Sequence, residues 1–188
     1  MFLSLSWGYI ADVDINSESM RWAGPARMTI WGAYRLMDRK FYEGTFTYKG
    51  IQIHDKNHCT DFDCHPPNLH SIEGSFSHLI VQNIPFISFN MHSCPLSSVH
   101  DGHNDVTMHM GHQSSSKMTK FVLDNDKGDF FDKNGKFKDN GMEYYKCVDW
   151  QLKPKIKGPK EGVEYTAEQK KSIRDDAIFA IDGEKYAA

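Results

Sequence analysis

A chain of 188 residues, 39% of them hydrophobic and 25% charged, is long enough for one domain with a real core and too short for two large ones. Its formal charge of −3 argues against a nucleic-acid binder, which carries a basic excess gathered on one face. Apolar runs such as Leu79-Ile80-Val81 fall far short of the ~20 residues that span a bilayer, and the opening MFLSLSW lacks the basic region and cleavage pattern of a secretory signal. A cytoplasmic chain is the expectation. Cys59, Cys64, Cys94 and Cys147 are too sparse for a disulfide framework, so reduced thiols are expected.

Residues 2–10 alternate as a strand, with Leu3, Leu5, Trp7 and Tyr9 on one face, and 12–16 read as a connection. Pro25 suits the first helical position, and Met28, Trp31, Leu36 and Tyr34 give the helix that follows an apolar face running to about Met37. The texture then changes to short β segments: 45–48, turned at Lys49-Gly50 into 51–53, then 76–83 and 85–91. Residues 105–110 alternate again. Ser114 opens a helix whose Met118, Phe121 and Val122 share a face. Asn134-Gly135 and Asn140-Gly141 are turn signals, 142–153 is the longest predicted strand, and the lysine-rich 155–164 reads as a surface loop. Residues 166–174 look helical or mobile, and 177–181 form a buried strand that delivers Asp182-Gly183-Glu184. The predicted class is mainly β (α+β), an antiparallel β-sandwich with short helices.

Chemistry concentrates between residues 4 and 27. Asp12 and Asp14, at period-2 spacing in an extended segment, would project both carboxylates from one face. Arg21 and Arg27 flank Gly24-Pro25, which places Arg27 in the first turn of a helix, where free N–H groups already favour an anion. Elsewhere, His54, His58, Cys59, Cys64 and His65 offer a zinc reading, although Cys-x4-Cys matches no common finger. Asp101-Gly102 reads as a structural hairpin turn, and 124–139 as a solvated hairpin, since no register gives the acid order of a calcium loop.

Read together, WGYIADVD at residues 7–14 and RWAGPAR at 21–27 resemble the start of the lipid-binding domain of sphingosine kinases, within the diacylglycerol kinase-like superfamily. The resemblance implies that residues 1–188 are the C-terminal lipid-binding domain of such an enzyme, which moves the ATP γ-phosphoryl group to the primary hydroxyl of a sphingoid base. It implies that Asp14 holds the substrate amine and that Ser4 assists at the polar head. Arg21, Arg27, Asp182, Gly183 and Glu184 would contact ATP, with Mg2+ required by the complete enzyme and a transient membrane surface as a further partner. No GGDGT-type loop occurs in the sequence, so the general base and half of the phosphate cradle are expected on an N-terminal domain, and negligible kinase activity is expected of this chain alone. The stop shortly after Glu184 suggests a fragment. Two alternatives stay open: a ceramide or diacylglycerol kinase-like acceptor, and a non-catalytic lipid-binding or zinc-stabilised interaction module.

Overall fold

The computed structural model describes residues 3–58, 62, 66–88, 91–155, 166–167 and 178–187. In chain order the elements are β1 (Ser4–Gly8), α1 (Tyr9–Asn16), a 3-10 segment (Ser17–Ala23), α2 (Ala26–Asp38), β2 (Tyr42–Ile53), β3 (Asn68–Gln82), β4 (Asn104–Met110), α3 (Ser115–Lys127), β5 (Glu143–Pro154), β6 (Ile178–Ile181) and β7 (Glu184–Ala187). Mostly antiparallel β structure with short helices is therefore the fold class.

The strands form one seven-stranded sheet in the order β2-β5-β4-β3-β1-β6-β7, and β2 also pairs with β3. That extra pairing closes β2, β5, β4 and β3 into a ring, while β1, β6 and β7 extend from β3. Phe76 is the pivot. Residues of β3 up to Phe76 pair with β2, and those from Phe76 onward pair with β4. Side chains facing the interior fill it: Trp7, Tyr42, Phe46, Phe76, Leu79, Val106 and Met108 lie in one buried cluster. Burial on this scale supplies the main driving force for the fold.

Two glycines shape the sheet. Gly8 ends β1 at φ 83°, and a Cβ there would meet the Ser77 carbonyl oxygen at 2.7 Å, so the strand can turn into α1 only at a residue without a side chain. Gly50 lies where a Cβ would meet the Lys146 carbonyl oxygen at 2.1 Å. Lys49-Gly50 is accordingly not a turn. β2 runs straight through it, with a bulge against β5 between Lys49 and Gly50.

Other expectations are corrected as well. Residues 12–16 are not a connection but the second half of α1, because Tyr9, Ile10 and Val13 pack on Ile80 and Met118. Pro25 stands immediately before Ala26 with helical dihedrals, φ −60° and ψ −25°, in keeping with its expected place at the start of α2. Trp31 and Leu36 pack against the α1 cluster as expected, whereas Met28 and Tyr34 are exposed. Among the described residues of 85–91 there is no strand, only an isolated bridge between Ser88 and Met91. The helix at Ser114 holds: its hydroxyl accepts from the Lys117 N–H at 3.2 Å, and α3 continues to Lys127. Most of 155–164 and 166–174 lies outside the described residues.

Beneath α3 the outer face of the sheet is polar and dry. His78 and His109 cross at 4.6 Å between ring centroids, and Phe121 stacks on His78 at 4.3 Å. Beside them Lys146 donates to Asp101 at 2.6 Å and to Asp105 at 3.3 Å, and the Tyr144 hydroxyl donates to Asp105 at 2.5 Å. Asp101 thus does more than make a turn, since it satisfies a buried ammonium.

Candidate functional site

On α1 successive residues turn by roughly 100°, so Asp12 and Asp14 diverge by roughly 200° instead of sharing a face. The two carboxylates have different jobs. Asp12 points inward and is buried. It accepts from the Tyr42 hydroxyl at 2.6 Å, Asn16 Nδ2 at 2.8 Å and Trp31 Nε1 at 3.2 Å, and it pairs with Arg35 at 2.7 Å. Burial alone would raise its pKa, but Tyr42, the Arg35 charge, Asn16 and Trp31 together hold the carboxyl below its ordinary value. Arg35 also reaches Asp38 and the Tyr42 hydroxyl. The network ties α1, α2 and β2 together, and with the Tyr9 hydroxyl donating to the Gly32 carbonyl at 3.2 Å it fixes the two helices against each other.

Asp14 faces outward and is half-buried. No side-chain hydrogen bond or ion pair joins its carboxylate to another described residue. Desolvation raises its pKa, the Arg27 charge opposes that, and the nearby Glu18 charge adds to it. A partly dry carboxylate in this state gains from any cation brought alongside.

Arg21 comes from the 3-10 segment and Arg27 from the first turn of α2, and both converge on one carboxylate, Glu18. Gly24 makes the turn between them: its N–H donates to the Arg21 carbonyl at 3.1 Å, and its carbonyl accepts from the Arg27 N–H at 3.2 Å. Arg21 and Arg27 hold the Glu18 carboxyl below its ordinary value, Arg21 by its hydrogen bond above all. Glu18 is the residue that reading the sequence missed. Its one available signal is its spacing, three residues before Arg21.

Ser4 and the Asp182-Gly183-Glu184 turn meet at the opposite end of β1. Asp182 Oδ1 accepts from the Leu3 and Ser4 N–H groups at 2.8 Å each, and the Asp182 N–H donates back to the Ser4 carbonyl at 3.0 Å. Asp182 adopts φ 51° and Gly183 φ 82°, and both are exposed, as is Glu184. One Asp182 oxygen is therefore committed to anchoring β1. α1 packs against both β1 and β6, so it links this turn to the segment that carries Asp14.

Of the zinc candidates, His54 and His58 lie with ring centroids 5.7 Å apart, while Cys59, Cys64 and His65 are outside the described residues. Among the described residues no three His, Cys, Asp or Glu side chains are grouped to hold a metal ion.

No protein-family model matches the chain. Sphingosine kinase 2 of Arabidopsis thaliana is 24% identical over 195 residues, which takes in 77% of this chain and 40% of that protein. Sphingosine kinase 1 of Mus musculus is 46% identical over 46 residues, 24% of this chain and 12% of the relative. A solved diacylglycerol kinase-like protein from Bacillus anthracis matches 100% of this chain and 48% of its own, with a TM-score of 0.51 at 10% identity, a likeness of fold alone. The mostly antiparallel fold is thus shared with that diacylglycerol kinase-like protein. The two curated relatives named are sphingosine kinases, and this chain spans less than half the length of each of them and of the solved structure.

Proposed function

We propose that this chain is the lipid-binding part of a kinase that transfers the ATP γ-phosphoryl group to a sphingoid base, and that it also supplies part of the nucleotide phosphate site. The observation that carries this reading is the convergence of Arg21 and Arg27 on a single anionic position, on the segment that follows Asp14. A half-buried carboxylate with no partner among the described residues suits a protonated amine, and two convergent guanidiniums suit phosphoryl oxygens. In phosphoryl transfer such cations orient the donor and stabilise the charge that builds on it. Asp14 would hold the substrate amine, Ser4 would assist at its polar head, and Arg21 and Arg27 would hold phosphates. Asp182, Gly183 and Glu184 would line the nucleotide, with the free oxygen of Asp182 the one available for it. The general base belongs to a further domain.

Asp14→Asn keeps the shape and removes the charge. In binding titrations with lipid in mixed micelles, the variant is expected to lose about tenfold to a hundredfold in sphingosine affinity, the value of one charge-assisted hydrogen bond. Diacylglycerol, which has no cation, should stay within about twofold. Equal losses for both lipids, or none for sphingosine, would refute the amine reading and favour a neutral acceptor such as diacylglycerol or ceramide.

The same reading places the chain in the cytoplasm with transient contact to a membrane. Its support is an apolar stripe on the outer face of α2: Ile30, Tyr34 and Met37 recur at i, i+4 and i+7 and are exposed, with Trp22 nearby at 82% exposure. Among the described residues no helix is long and apolar enough to cross a membrane. A Tyr34→Asp, Met37→Asp variant is expected to lose at least half of its co-sedimentation with anionic vesicles, because two exposed apolar side chains can no longer be buried in the membrane. Unchanged sedimentation would remove α2 as the contact.

A further inference from the structure

We infer that Glu18 is an internal stand-in for the incoming phosphate, a positioning residue whose carboxylate keeps Arg21 and Arg27 aimed at the anion position and is exchanged for phosphoryl oxygens when nucleotide binds. The inference rests on the proposal that these arginines are phosphate ligands.

The geometry is specific. Arg21 bonds Glu18 Oε2 through Nε and Nη2, and Arg27 pairs with Oε1 through Nη1, so each carboxylate oxygen serves one guanidinium. Arg21 belongs to the 3-10 segment and Arg27 to α2, and without an anion between them two like charges brought together by the Gly24 turn would repel. Glu18 removes that repulsion and orders both side chains in advance. Its hold is also easy to break, because the side chains of Arg21, Glu18 and Arg27 are 77%, 38% and 25% exposed, where water competes for every charge.

A phosphate group is the better ligand for the same cations. It offers more oxygens and more negative charge than a carboxylate, and each guanidinium has five N–H donors, of which Glu18 occupies only a part. The two anions cannot share the position, since they repel and need the same donors. Glu18 therefore both prepares the site and competes for it. Its removal costs some order in the free protein but lifts the competition outright.

The test is calorimetric binding of tripolyphosphate to the purified chain at low salt, comparing the parent with Glu18→Gln, Arg21→Gln and Arg27→Gln. Glu18→Gln is expected to bind about three- to tenfold tighter, as expected for removing one nearby like charge at a solvent-screened site. Both arginine variants should bind more weakly than the parent. Equal or weaker binding by Glu18→Gln, with binding still lost in the arginine variants, would overturn the stand-in and leave the phosphate site intact. If the parent and Glu18→Gln both fail to bind, or the arginine variants bind as well as the parent, the phosphate reading falls and this inference falls with it. Glu18 is partly exposed and Gln keeps its shape, so Glu18→Gln is expected to fold, which an unchanged thermal melt would verify.

Discussion

Replacing Asp12 with alanine is expected to lower the unfolding free energy by about 3–5 kcal/mol, the cost of breaking a buried ion pair by removing one partner. Four groups lose their acceptor at once: the Tyr42 hydroxyl, Asn16 Nδ2, Trp31 Nε1 and the Arg35 guanidinium. Arg35 would retain Asp38, itself half-exposed, and the uncharged Tyr42 hydroxyl, and would stay buried with much of its charge uncompensated. Asp12→Asn should cost less, because an amide oxygen can still accept from Tyr42. Urea unfolding at neutral pH measures both. A loss below about 1 kcal/mol for Asp12→Ala would show that α1 and α2 are held by apolar packing and that the network is incidental. The contrast with Asp14 is the useful part. Asp12→Asn should change stability and leave the lipid preference alone, whereas Asp14→Asn should do the reverse.

That contrast was hidden in the sequence. Period-2 spacing put both acids on one face, and only Gly8, forced to φ 83° by the close approach of β3, shows that the backbone turns helical one residue later. Signals that depend on side chains alone were legible: the Ser114 cap, the alternation of β4, and the arginine pair around Gly24-Pro25. What escaped depends on partners distant in sequence. Residues 68–75 of β3 carry no apolar alternation and become a strand because the backbone of β2 lies beside them. Gly50 looked like a turn and is a point of close contact with Lys146, nearly a hundred residues away. Glu18 was invisible for the opposite reason, since an exposed acid means nothing until two arginines are found resting on it.

Acid should unfold this protein steeply, and the His78–His109 pair should be the main cause between pH 6 and 4. Desolvation holds His78 well below its ordinary value, with the His109 charge adding to the effect. His109 is brought down to about 3, again mainly by desolvation, with the Asn140 backbone pulling the other way and Lys117 pushing further down. Both rings therefore resist protonation in the folded state where an unfolded histidine, at an ordinary pKa near 6.5, is already largely protonated. The unfolded state binds more protons, so stability must fall as pH falls. Each histidine contributes up to about 1.4 kcal/mol per pH unit, so the two approach about 5 kcal/mol over two units. The nitrogens of His78 have no hydrogen-bond partner among the described residues, so nothing nearby can share an added proton. Urea midpoints measured from pH 7 to pH 4 should show this slope in the parent and about half of it in His78→Phe or His109→Phe. The comparison is between slopes, so whatever the new ring costs in packing cancels. Asp12 contributes in the same direction only at lower pH, as its depressed carboxyl begins to protonate, whereas Asp14 and Asp105, whose carboxyls burial raises, oppose the fall, so the difference between parent and variant slopes isolates the histidines. Slopes equal to the parent's in both variants would mean that the acid sensitivity lies elsewhere and that α3 tolerates charge beneath it.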